Sequence, residues 1–329
     1  TLSVNSVIAN NTKSPVSKPN SSRVLDIRLL ALSISCLDTC SGITGFCLAG
    51  VYPVGMKIAV GWTVKRRGIV VGMLVGALTL GSAAPHGLVL IGGADWRFTV
   101  FLASLLAFVA GGLIMFARLG PYHATAARFD PSALWLAWRL PKVRLAYAGY
   151  FCHMWELYAF WAWIAAALTA SLTLSGVDDP IKVARITTFI SISFGGLLCV
   201  FAGVLADKIG KAIVAGGAMA ISGGLAIATA ISFGGPPILT ILFVFLWGVF
   251  VIPDSAQFSA LVADNAPPDR AGSLLTFQTA IGFLLAAIVV QTIPIIAQSV
   301  GWPVTLALLG VGPILGTEMM RRLLKYSRS

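Results

Sequence analysis

A few ionisable side chains stand inside stretches that are otherwise apolar, and they are the residues that can do chemistry. His153 and Glu156 lie in Tyr150-Phe151-Cys152-His153-Met154-Trp155-Glu156-Leu157-Tyr158. Three residues apart, they share one helical face with Phe160 and Trp163. A carboxylate beside an imidazole can pass a proton near neutral pH; the plainer reading is a polar pair that locks helices together. Lys57 follows Pro53 by four residues, where a kink would free backbone carbonyls. It can hold an anionic solute or a carboxylate, or simply snorkel to the headgroups. Asp254 directly follows Pro253, with Trp247 on the same face two turns back. It can take a proton or a cation, or pair with Lys57. Tyr52 and Gln278 complete the set as polar lining, while His86, after Pro85, reads as interfacial. The five cysteines form no paired CxxC sets, and HExxH, GxSxG and P-loop patterns are absent, so neither a metal, a cofactor nor an enzyme activity is expected.

The elements that carry these residues must be membrane helices. The chain is 57% hydrophobic and only 11% charged, with a mean hydropathy of +0.90. A soluble domain has about 25% charged residues, and a water-soluble core cannot absorb such a surplus of apolar side chains. Crossing about 30 Å of hydrocarbon takes about 20 helical residues. Nine stretches are long enough: 42–62, 68–93, 98–117, 145–172, 186–206, 212–233, 238–262, 272–298 and 302–320. Residues 24–41 leave a tenth span open, since Asp26, Arg28 and Asp38 interrupt them. Residues 1–23 are rich in Ser, Asn, Thr, Lys and Pro and read as a disordered tail.

Charge supports this count. The net charge of +11 does not indicate nucleic acid, because the basic residues alternate by loop. One set of loops and the C-terminal tail hold fifteen Lys and Arg; the other set holds three, Arg97, Lys182 and Arg185. That bias places the first set, and the C-terminus, in the cytoplasm.

Two local patterns go further. Val51-Tyr52-Pro53 lines up with Val251-Ile252-Pro253 at an offset of 200, and Lys57 with Gln257. Breakers at corresponding positions of two halves point to a transport pathway. Residues Gly203-Val-Leu-Ala-Asp207-Lys208-Ile-Gly210-Lys211 lie between 186–206 and 212–233, where glycines allow a tight reversal. This run resembles the G-x-x-x-D-(R/K)-x-G-(R/K) signature of the major facilitator superfamily, which joins the family's eighth and ninth helices. Phe46–Lys57 is similar to its fourth helix and Asp95-Trp96-Arg97 to the start of its sixth. Where the family often has an arginine early in its fourth helix, this chain has Ser41.

The resemblance implies an all-α, polytopic transmembrane bundle of nine or ten spans, the family's helices four to twelve. Residues 24–117 would be the remnant of a first bundle, 118–144 the cytoplasmic linker, and 145–329 a six-helix second bundle. The implied function is alternating-access transport of a small solute across a lipid bilayer, with protons as a co-substrate on family grounds alone, in the cell membrane. A polytopic membrane enzyme and a non-transporting scaffold are the alternatives. The missing first three helices suggest an inactive fragment. Gly203, Asp207, Lys208, Gly210 and Lys211 would form a conformational loop, with Asp207 near the start of 272–298 and Arg270 close by.

Overall fold

The computed structural model describes residues 51, 54–56, 58–63, 67–92, 96–122, 131–267 and 269–328. The chain divides into two compact units, Thr1–Val54 and Gly55–Ser329, and every element named here belongs to the second. The tail at 1–23, the stretch 24–41, Tyr52 and Lys57 lie outside the described residues.

Every regular element among the described residues is an α-helix: α1 (Arg67–Gly92), α2 (Trp96–Ile114), α3 (Ala133–Arg139), α4 (Pro141–Leu174), α5 (Pro180–Ile209), α6 (Lys211–Ser232), α7 (Pro237–Phe250), α8 (Ser255–Asn265) and α9 (Ala271–Arg328). Without water in the hydrocarbon, a spanning segment must satisfy its own backbone groups, and a helix does so. Seven helical stretches among the described residues are long and apolar enough to cross a membrane, with α7 and α8 making one of them together. The last, α9, makes two passes, because Gly301 (φ 82°, ψ 164°) turns the chain in a conformation that only glycine adopts readily. The predicted spans 272–298 and 302–320 are these two passes.

Local chemistry sets the ends. Proline opens α4, α5 and α7, where its missing N–H costs nothing. The Asp179 carboxylate caps α5 by accepting from the Lys182 N–H at 3.3 Å. The predicted span 238–262 crosses as one stretch and breaks at its proline: α7 stops at Phe250, and α8 begins at Ser255. Pro253 has no N–H to continue the ladder, and residues 251–254 are turn and bend. The link at 118–144 contains α3 and the first turn of α4.

Packing is closest where side chains are smallest. α1 and α5 meet so tightly that a Cβ on Gly72 would lie 2.7 Å from the Cys199 carbonyl oxygen, and one on Gly76 2.6 Å from that of Gly196. In lipid, such backbone approach replaces the hydrophobic drive that joins helices in water. α4 is held between neighbours on both passes of α9: the Trp155 indole N–H donates to the Leu308 carbonyl (3.1 Å), and that of Trp163 to the Val290 carbonyl (2.8 Å). α2, by contrast, packs lightly and turns Phe101, Leu106, Phe108 and Leu113 outward, as lipid contact allows. Gly76→Leu should wedge α1 from α5 and cost about 1–3 kcal/mol. Detergent melting curves would show it, and an unchanged midpoint would refute this account of the seam.

Candidate functional site

The polar site is built on the middle of α4 and on the break between α7 and α8. His153 and Glu156 project one helical turn apart from α4, and both are buried. They do not form the imidazole–carboxylate pair expected from their spacing. The His153 Nδ1 lies 3.0 Å from both carboxylate oxygens of Asp254, at the start of α8. Glu156 instead accepts from the Trp247 indole N–H at 2.6 Å, on α7, and from the Ser222 hydroxyl at 3.0 Å, on α6. The physical reason is depth and rotation: the helix break brings Asp254 level with His153, while the turn above it meets Trp247. Asp254 and Trp247 therefore do not act together on one continuous helical face.

Glu156 is 1% exposed and Asp254 2%. A carboxylate at such depth is tolerable only when hydrogen-bonded or paired. Glu156 has donors for both oxygens. The Ser222 hydroxyl also lies 3.2 Å from the Met219 carbonyl, so it has another acceptor when Glu156 is protonated. Trp247 is fixed in turn by an edge-to-face contact with Phe160, centroids 4.9 Å apart. With Asp254 ionised, His153 donates from Nδ1, which leaves Nε2 as the atom that can gain a proton. That nitrogen has no hydrogen-bond partner among the described residues, and neither do Gln257 Nε2 or the two amide atoms of Gln278. All three side chains are buried. The rings of Tyr150 and Phe258 flank the imidazole, with centroids at 6.4 and 5.6 Å.

The break is braced from α5. A Cβ on Gly195 would come 2.5 Å from the Gly248 carbonyl oxygen, the Ser191 hydroxyl lies 3.0 Å from the Phe245 carbonyl, and the Cys199 thiol is 3.5 Å from that of Ile252. α5 thus touches α1 through Gly196 and the broken helix through Gly195, adjacent residues on different faces. No group of three or more potential metal ligands occurs among the described residues.

Residues 36–290 match the sequence profile of the Major Facilitator Superfamily. The chain belongs to the major facilitator superfamily. It is a multi-pass membrane protein of a transporter family, and no curated protein matches it.

The family's loop signature folds differently from its reading as a loop. α5 continues as helix through Ile209, and α6 begins at Lys211. Gly203 is a buried helical residue, and Asp207 and Lys208 are exposed in the last turn of α5. The reversal rests on Gly210 alone, at φ 104°. Asp207 stands at the C-terminal end of its own helix. Lys211 pairs with Asp264 at the end of α8, and Arg270 reaches Ser132 (3.1 Å) and Asp269 (3.7 Å). Sequence reasoning did not single out Ser222 or the Cys199 contact with the break. Neither has a signal in the chain, because a hydroxyl or thiol in an apolar helix reads as filler. The His86 ring meets the Trp161 backbone carbonyl, which links α1 to α4.

Proposed function

We propose that this transporter moves a small solute by alternating access and couples that movement to protons at the His153–Asp254 pair. One observation carries the reading: a buried imidazole–carboxylate contact joins α4 to the break in a membrane helix. α7 and α8 are each tied to α4 by a separate contact, Trp247–Glu156 above the break and Asp254–His153 below it. With neutral His153 the lower pair carries one negative charge, which is costly in hydrocarbon and favours an arrangement open to water. A proton added at Nε2 makes the pair neutral overall and favours the closed packing. Loading and release would therefore move α8 while α7 stays anchored. Buried Gln257 and Gln278, with amide groups left to offer, are the side chains proposed to meet solute beside it. Lys57 and Tyr52 remain pathway candidates proposed from sequence.

Residues 145–329 are read as a second bundle of six passes, 24–117 as part of the first and 118–144 as their connection. The loop charge bias supports placing the basic ends, and the C-terminus, in the cytoplasm. The test is proteoliposomes holding a pH-sensitive dye, challenged with a panel of sugars, amino acids, organic anions and amphipathic cations. One class should move together with protons, and His153→Gln should retain downhill solute flux while losing the proton signal. Solute flux with no proton movement in the unmodified protein would refute the coupling.

A further inference from the structure

We propose that α3 is a fixed anchor for the anionic headgroups of the membrane leaflet at the basic end of the bundle. This inference stands apart from proton coupling and rests on the short helix between α2 and α4. α3 is held at both ends by arginines from neighbouring helix feet. Before its first residue, the Ser132 hydroxyl oxygen accepts from Arg270 at 3.1 Å; at its end, the Trp138 carbonyl accepts from Arg144 at 3.4 Å. Its Ala137 is buried in the same core cluster as Val143, Ala146 and Leu274, and Leu140 packs beside them. One face is therefore mounted on α4 and α9.

The opposite face presents what a water-facing helix would hide. Trp135 is 73% exposed and Trp138 63%, and their spacing of three puts the two indoles side by side. Indoles favour the headgroup layer, where the ring meets hydrocarbon and the N–H meets water. The level in the fold agrees. Tyr122 N–H donates to the Gly61 carbonyl (3.0 Å), and the Trp62 indole donates to that of Arg118 (3.1 Å). Two further exposed aromatics, Trp62 and Tyr122, therefore meet where other helices end.

Charge selects the lipid. Exposed Arg139 closes α3, Lys142 and Arg144 lie in the first turn of α4, and Arg270 reaches the start of α3. The acidic groups described at this end, Asp264, Asp269 and Glu318, each have a basic partner, and Asp207 lies in the turn with Lys208. Basic side chains beside a membrane surface each favour anionic lipid by about fivefold. A zwitterionic headgroup would use the indoles but not this concentration of cations.

The experiment uses the full chain in phosphatidylcholine vesicles containing a minor share of phosphatidylserine, with bromine placed on one lipid or the other. The fluorescence of Trp135 and Trp138 is isolated by subtracting that of the W135F/W138F variant, whose substitutions are conservative at exposed sites. Brominated phosphatidylserine should quench this component well beyond its share of the lipid. R139Q should lower that preference about fivefold, and raised salt should lower it further. Quenching in proportion to lipid composition, unaffected by R139Q, would show an ordinary interfacial belt and overturn the proposal. No quenching by either lipid would show that water or protein covers this face, and would overturn it equally.

Discussion

Asp254→Asn should abolish accumulation of solute against its gradient while leaving a folded protein that still exchanges solute across the membrane. Asparagine has nearly the shape of aspartate, and its carbonyl oxygen can accept from the His153 Nδ1–H that lies 3.0 Å from the carboxylate. What it cannot do is hold a negative charge. The variant pair is neutral while His153 is neutral and gains a full buried charge when Nε2 takes a proton, which reverses the electrostatics of loading. Removing one partner of a buried pair costs about 3–5 kcal/mol when it leaves a charge unpaired. The neutral imidazole avoids that outcome, so the melting temperature should change little. The expected signature is a loss of pH-driven accumulation to background, with counterflow exchange retained and nearly flat with pH. The measurement is uptake into proteoliposomes with and without an inward proton gradient. Gradient-driven accumulation by D254N with unchanged pH dependence would remove Asp254 from the coupling.

Much of the scaffold is legible in the sequence, because lipid imposes a length rule. The predicted stretches 68–93, 186–206 and 212–233 fall on α1, α5 and α6 since nothing but about 20 apolar residues can span the hydrocarbon. Pro253 marks the helix break for an equally local reason. Partner choice is another matter. A spacing of three says that His153 and Glu156 share a face of α4, and says nothing of what lies across from it. Their actual partners depend on how far α8 is displaced by the break and how α7 is rotated, properties of several helices at once. Gly210 shows the same limit in small. Both glycines of the signature permit a reversal, yet the chain turns only at the second, because Asp207 and Lys208 reach water without leaving the helix. α3 escapes notice because seven residues, Ala133–Arg139, are too few for periodicity to emerge.

The largest loss of stability is expected at Trp247, which sequence reading treats as a neighbour of Asp254 and which instead ties α7 to α4. The side chain is fully buried and fills the space between Phe160 and Glu156. Trp247→Ala leaves a cavity where α7 meets α4, and takes a donor from a carboxylate that has no access to water. The cavity alone costs about 3–5 kcal/mol. Glu156→Leu should cost less, about 1–3 kcal/mol, mainly because the Trp247 indole N–H is left buried without an acceptor. Combining Glu156→Leu with Trp247→Phe removes both groups, so the double variant should be more stable than the sum of the losses measured for Glu156→Leu and for Trp247→Phe alone implies. Glu156→Gln should lie close to the unmodified protein, since an amide oxygen still accepts from the indole. The buried thiol of Cys199, which sits against the break, provides the readout. With the other four cysteines replaced by serine in every variant, a thiol-reactive dye followed during heating should label it earliest in W247A and latest in E156Q and the parent. Additive losses in the double variant would mean that Trp247 and Glu156 act separately. The anchoring of α7, and with it the independent movement of α8, would then fail on structural grounds even if protons were found to drive transport.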